Sequence, residues 1–276
     1  MCNESRRSNA CAPLSDQDFA RVIAAAEIYL SSRSILSSVI ATLGNVVHRG
    51  LAMVPAEWRE PITAKIHETL VVVQGPAVWN MDDDPGRGSK EWLYTASVIA
   101  AGIAGGAGGL PTLLVELPIT TGLMLRSIAD TGRAHGGRIE DPLFRATCIE
   151  VFAYGTPIEE DDEELTFLAA RLGAVKVAEA TAEVIAKVAA RYAAVLGPQI
   201  AARSVPVTGA FLGAALNWSY MSFYQSMAQV LFTLFPIEWK HDPAQVRSCF
   251  ASVVRELREK QVTRLRAPRC DRYLQK

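Results

Sequence analysis

The chain has 276 residues, half of them hydrophobic, with 28 lysines and arginines against 29 aspartates and glutamates. That length is enough for a sizeable core, and a net charge of −1 removes any global case for nucleic-acid binding, which relies on massed cations. The five cysteines, Cys2, Cys11, Cys148, Cys249 and Cys270, are scattered without a CxxC pair, so they read as idle thiols in a reducing compartment rather than as a zinc site or disulfide framework.

Residues 1–14 lack the apolar run of a secretory signal and read as a disordered tag; cytoplasmic residence is the resulting expectation. From Ser15, "SDQDFARVIAAAEIYLSS" sets Phe19, Val22, Ile23, Ala26 and Leu30 along one helical face, with Ser15 as N-cap and Asp18 at the capping-box distance. "VPAEWREPITAKIHETLVVVQ" predicts a helix with Pro61 in its first turn and Ile62, Ile66, Leu70 and Val73 buried. The acids, proline and glycines of "MDDDPGRGSK" mark a turn, and an internal boundary is expected near 81–90.

A long helix follows in "EELTFLAARLGAVKVAEATAEVIAKVAARYAAVLG", with Leu168, Leu172, Val175, Ala182, Ile185 and Ala189 on one side and a stop at Gly197–Pro198. Residues 204–237 carry no charged side chain. The last helix opens with Asp242 as N-cap and Pro243 as first residue, and turns Val246, Phe250, Val253 and Leu257 inward. The expected fold is all-α, one helical domain over 15–266 with a basic tail at 267–276.

Two uncharged or nearly uncharged runs dominate the chain. In 92–125 the only charge is Glu116, within "GIAGGAGGLPTLLVEL". This stretch is no Walker loop, because Leu110 and Pro111 stand where lysine and a hydroxyl are needed. Nor does a strand precede it, as a dinucleotide fingerprint demands. Gly102 with Gly106, Gly105 with Gly109, and Gly209 with Gly213 are small-xxx-small pairs, a spacing that puts both members on one helix face and lets backbones approach. The expectation is a buried, glycine-packed central helical hairpin; the rival is a hairpin inserted into lipid, which Glu116 and the prolines oppose.

"AAGIAGGAGGLPTLLVELPITTGLMLRSIADTGRAHG" resembles the signature of the EcsC protein family, a glycine-rich helix running into an acid–Leu–Pro step. The step here is Glu116-Leu117-Pro118, where the family more often has Asp. "VPVTGAFLGAALNWSYMSFYQSMAQ" is similar to a second family block, Pro–x–x–Gly–x–x–x–Gly followed by Asn, here Asn217. The resemblance covers roughly 45–262. It implies an all-helical fold, membrane proximity and a link to ABC-type transport, and names no reaction.

Candidate functional residues are Glu116, Pro118, Arg126, Glu150 and Asn217. Glu116 is either an acid in an apolar pocket or, with Pro118 opening the next helix, an N-terminal acid satisfied by free amides. Arg126 and Asp130, one turn apart, are expected to pair, and Glu150 to neutralise Arg126 or Arg145. Asn217 reads as a spacer between packed helices. Trp218, Tyr220, Phe223 and Tyr224 are core filling or a lip for lipid. His48, His67, His135 and His241 stand alone, with no HExxH, HxH or GxSxG; no metal, cofactor or catalytic residue is expected. Arg255–Lys276 holds eight cations and three acids, which suits an anionic membrane surface.

The preferred reading is a non-enzymatic accessory protein, peripheral to the inner membrane face and serving a membrane transporter, with no nucleic-acid partner. The alternative is a small-molecule or lipid-binding protein, or a hydrolase-like enzyme, using Glu116 in an apolar pocket.

Overall fold

The uncharged run before Glu238 becomes the axis of the molecule. A computed structural model describes residues 8–42, 44, 56–72, 80, 81, 84, 87–106, 110–154, 182–203 and 209–266, and the structural statements below concern these. Among them are α1 (Asp16–Thr42), α2 (Ala56–Val72), α3 (Glu91–Gly106), α4 (Leu110–Ala134), α5 (Pro142–Glu150), α6 (Ala182–Arg203), α7 (Gly209–Glu238) and α8 (Pro243–Arg266), with 3-10 turns at Asn9–Cys11 and Val151–Ala153. No strand occurs among the described residues, and the fold is all-α.

Helix α7 is apolar nearly all round, and a helix of that kind belongs at the centre. It packs along α3 and α1 and also touches α4, α6 and α8. Leu216, Tyr220, Tyr224, Met227, Leu231 and Leu234 on it are buried, as are Leu212 and Phe223. One hydrophobic core joins Ile62, Ile66 and Leu70 of α2 to Val98 of α3, so described residues on both sides of 81–90 share a core. Tyr220, Phe223 and Tyr224 fill the interior, whereas Trp218 faces outward at 41% exposure. Phe152 packs tilted against Tyr192 and edge-on against Tyr224, with ring centroids 4.8 and 5.2 Å apart, which ties the Val151–Ala153 turn to α6 and α7 by aromatic contact.

The caps at both ends of the chain form as their residues require. Ser15 Oγ accepts the Asp18 amide at 3.1 Å and donates to its carboxylate at 2.9 Å. Asp242 accepts the Ala244 amide at 3.2 Å. In α1 the buried stripe is centred on Val22, Ala25, Ala26 and Tyr29, with Phe19, Ile23 and Leu30 only partly covered. The face rotates so that Tyr29 meets Phe250 edge-on, at 5.8 Å. At the far end of α4, Gly136 takes φ +88°, a left-handed turn that glycine makes without steric cost.

Three boundaries differ from those the sequence suggests, all at proline. Pro61 lies inside α2, Pro118 inside α4, and Pro198, with Gly197, inside α6. Each proline removes one intrahelical bond, yet burial of Ile62, Leu117 and Leu196 beside them holds the helices together. Tertiary packing overrides the local stop signal. Leu168, Leu172, Val175 and Gly109, and the tail 267–276, lie outside the described residues. The run 92–125 is divided between α3 and α4. By length and composition α1 and residues 111–134 of α4 could each cross a bilayer, with 39% and 56% of the apolar window buried inside the protein.

The cysteines require a correction. Cys11 and Cys249 form a disulfide, with Cα atoms 4.8 Å apart across 238 residues of sequence. Scattered spacing along the chain hid a close spatial pair, because the first turn docks on α8. Ser8 Oγ lies 2.8 Å from Ser252 Oγ, which reinforces the junction. Cys148 is buried and free; burial pushes its thiol well above the usual range, which makes it inert.

A methyl group added at Gly102 would lie 2.6 Å from Asn217 Nδ2 and 2.8 Å from the Gly213 carbonyl oxygen. Backbone cannot yield cheaply, so Gly102→Ala is expected to lose about 1–2 kcal/mol of stability, overpacking outweighing the propensity gained. Gly122→Ala and Gly197→Ala meet no atom within 4 Å and should be neutral or slightly stabilising. Urea titration of the three variants checks the contrast. Reduction of the Cys11–Cys249 bridge should cost about 2–5 kcal/mol, read as a lower melting temperature in dithiothreitol that Cys11→Ser/Cys249→Ser reproduces without reductant.

Candidate functional site

Glu116 stands one turn and a half into α4, not at a helix start. The helix begins at Leu110 and runs through Pro118, so the expected reading of Glu116 as an N-terminal acid fails: mid-helix amides are already bonded. Its side chain instead points inward at 7% exposure. Asn217 Nδ2 of α7 donates to Glu116 Oε1 at 3.1 Å and to the Val98 carbonyl of α3 at 3.0 Å. One amide therefore joins three helices, and both of its bonds go to groups that burial would otherwise leave costly.

The close approach makes this possible. Gly102 on α3 abuts Gly213 and Asn217 on α7; 213 and 217 are one turn apart and share a face. Gly105 is buried, and its carbonyl accepts a hydrogen bond from Thr112 Oγ1 at 2.5 Å, which ties the end of α3 to the start of α4. Gly106 ends α3 and Gly209 begins α7.

One phenol, that of Tyr192, lies within reach of the Glu116 charge. Tyr192 of α6 bonds Thr121 Oγ1 at 3.0 Å, and burial, with the Glu116 charge adding to it, raises the Tyr192 hydroxyl well above its ordinary value. Tyr220 donates to the Val195 carbonyl at 2.5 Å and is raised likewise by burial. Both stay protonated donors through the physiological range. The Thr120 hydroxyl donates to the Glu116 carbonyl at 3.1 Å, one turn back, beside the proline that interrupts the ladder.

Two turns along α7 from Asn217, a second amide repeats the arrangement. Gln225 Nε2 donates to the Glu91 carbonyl at 3.1 Å, Thr95 Oγ1 at 3.3 Å and Ser127 Oγ at 2.9 Å. Gln229 and Thr131 both donate to Glu91 Oε1 at 3.3 Å. Sequence reasoning missed this second clasp. Its signal was present: Asn217 and Gln225, eight residues apart on an uncharged helix, share one face.

The remaining candidates lie elsewhere. Asp130 pairs with Arg133 at 2.8 Å and accepts the Lys90 amide at 2.7 Å, so its principal ionic partner is Arg133 in place of the expected Arg126. Arg126 donates to the Asn80 carbonyl at 3.4 Å. Glu150 is buried at the end of α5 and accepts from Tyr154 Oη at 3.0 Å, while Arg145 donates to the Ile139 carbonyl at 2.6 Å. Among the described residues no group of three or more His, Cys, Asp or Glu could hold a metal ion. Glu116 and Asn217 thus form a buried polar clasp, in which one amide joins the carboxylate of α4 to the backbone of α3.

An all-α protein built round an uncharged axial helix, with amide clasps to a glycine-bearing neighbour, is the class this architecture defines. Residues 32–234 match the EcsC protein family, and the chain belongs to that family. No curated protein and no solved structure matches it.

Each half of the Glu116–Asn217 bond should depend on the other. Glu116→Ala and Asn217→Ala are each expected to cost about 1–3 kcal/mol, the penalty for stranding a buried polar partner. The double variant should cost less than the sum by about 1 kcal/mol. Chemical denaturation of the four proteins in the cycle checks this; strict additivity would show the two side chains act independently.

Proposed function

We propose that this protein is a non-enzymatic accessory protein that rests peripherally on a membrane face beside an ABC-type transport system. The observation that carries the reading is the number of large apolar side chains left in solvent by the helices of the uncharged runs. Trp92 is 74% exposed on α3, Val115 69% on α4 and Phe211 79% on α7, with Ile103 and Ile119 each more than half exposed. Single exposed apolar residues are ordinary; tryptophan and phenylalanine exposed this far on two helices that each carry one acid, at an end, suit a membrane interface. The transport link rests on the family resemblance.

The buried clasp supports an interaction protein over an enzyme, because Glu116 is hydrogen-bonded inside the helix packing. The side of the membrane follows the state of the Cys11–Cys249 bridge. Such bonds persist where thiols are kept oxidised, so the bridge weighs against the reducing interior that the cysteine spacing suggests. Thiols trapped free in cells would restore the cytoplasmic face; an intact bridge assigns the protein to an oxidising one.

Flotation with lipid vesicles tests the membrane reading. The full chain is expected to float with vesicles, and Trp92→Ser with Phe211→Ser to weaken binding about tenfold or more, the loss expected when two apolar side chains no longer enter the interface. A protein that never floats, or a double variant that floats as well as the parent, overturns it. Crosslinking in cells should then recover permease subunits, and recovery of none removes the transport part.

A further inference from the structure

A cleft of about 200 Å³ opens where the segment before α3 meets α4, lined by Asn80, Met81, Arg87, Lys90, Tyr94, Arg126, Asp130 and Arg133. Four cationic side chains line it against one carboxylate. That carboxylate is heavily engaged: Asp130 Oδ1 accepts from Arg133 Nε at 3.1 Å and Nη2 at 2.8 Å, and Oδ2 accepts the Lys90 amide at 2.7 Å.

Arg133 is the floor. It is 3% exposed, and besides Asp130 it donates to the carbonyls of Asp84 and, at 2.7 Å, of Arg87. The guanidinium thereby fixes the backbone that carries Arg87 and Lys90, and sets those two side chains at the rim. Arg126 enters from α4 one turn before Asp130, hydrogen-bonded to Tyr94 of α3 and to the Asn80 carbonyl. Glu91, next in sequence to the rim, sends its carboxylate the other way, to Thr131 and Gln229. The lining sums to three positive charges around a small space whose deepest cation is fixed by a salt bridge and two carbonyls.

We infer that this cleft binds a phosphate monoester, its dianionic head held by Arg126, Lys90 and Arg87 over the Arg133–Asp130 floor. Guanidinium groups match the tetrahedral oxygens with paired donors, and a lysine adds a point charge. The size of the cleft admits a head group and leaves the rest of the molecule outside. Tyr94 supplies a hydroxyl donor; burial, and then the Asp130 charge, raise it above its ordinary value, so it keeps its proton. The same head group occurs on soluble metabolites and on phosphatidic acid; Trp92 and Leu93, which follow the rim closely in sequence and are exposed, suit the acyl chains of the second. The inference does not depend on membrane association, because a soluble ligand tests it directly.

The experiment uses the full chain with four probes at constant ionic strength. Inorganic phosphate and glycerol 3-phosphate are titrated by calorimetry, and vesicles of phosphatidylcholine with and without phosphatidic acid are used in flotation. Binding of either soluble probe identifies a free phosphate ligand; preference for phosphatidic acid with no soluble binding identifies a lipid head group. In both cases Arg126→Ala and Lys90→Ala should each weaken binding about tenfold, the loss of one charged hydrogen-bonding partner, while Arg21→Ala on α1 leaves it unchanged. Both lining side chains are at least partly exposed, and Arg87→Ala provides a third variant if either misfolds. Failure of every probe to bind the parent, binding retained in all the lining variants, or equal loss in Arg21→Ala overturns the assignment. Vesicle binding that needs Trp92 and Phe211 yet ignores phosphatidic acid, with neither soluble probe bound, would retain the membrane reading and sink this one.

Discussion

The arrangement depends on backbone meeting backbone where α3 crosses α7. At Gly102 the neighbouring helix comes so near that a single carbon would collide with the Gly213 carbonyl. Such an approach gives up side-chain burial at the crossing, and what replaces it is dense contact together with the reach of Asn217. An amide side chain is short. Only because the two helices touch can one Asn217 nitrogen bond the α3 backbone and the α4 carboxylate together.

Polar groups inside an apolar core raise the cost of every misalignment. Leucine against leucine tolerates a slide of a turn, whereas the Asn217 and Gln225 clasps require their own partners at fixed heights along α7. Two such clasps two turns apart fix both the rotation and the register of the three helices. The phenols of Tyr192 and Tyr220, each with an oxygen partner, extend the same logic to α6. Stability here comes mainly from apolar burial, and uniqueness from the polar groups set into it.

Much of this architecture is legible in the amino-acid order, and the gaps have physical causes. Helix starts at Asp16 and Pro243 follow from side-chain caps, which act locally. The all-α fold and the uncharged axial helix follow from periodicity and from the absence of charge. Helix ends judged by proline were misplaced, because Pro118 and Pro198 sit in helices that packing sustains. Glu116 was recognised as unusual, but its partner lies 101 residues away, a distance no local pattern spans. The disulfide was missed for the same reason, and so was the basic cleft, whose cations come from the segment before α3 and from α4.

The bridge between Cys11 and Cys249 joins stretches that flank the family-matched residues 32–234 on either side. The incoming and outgoing chain are thereby tethered at one corner of the helical body. Pulling on the two flanks would load the covalent tie before it loaded the helices between Cys11 and Cys249, while α8 carries the outgoing chain on past the tie to Arg266. The helices between the two cysteines are thereby shielded from tension applied at the flanks.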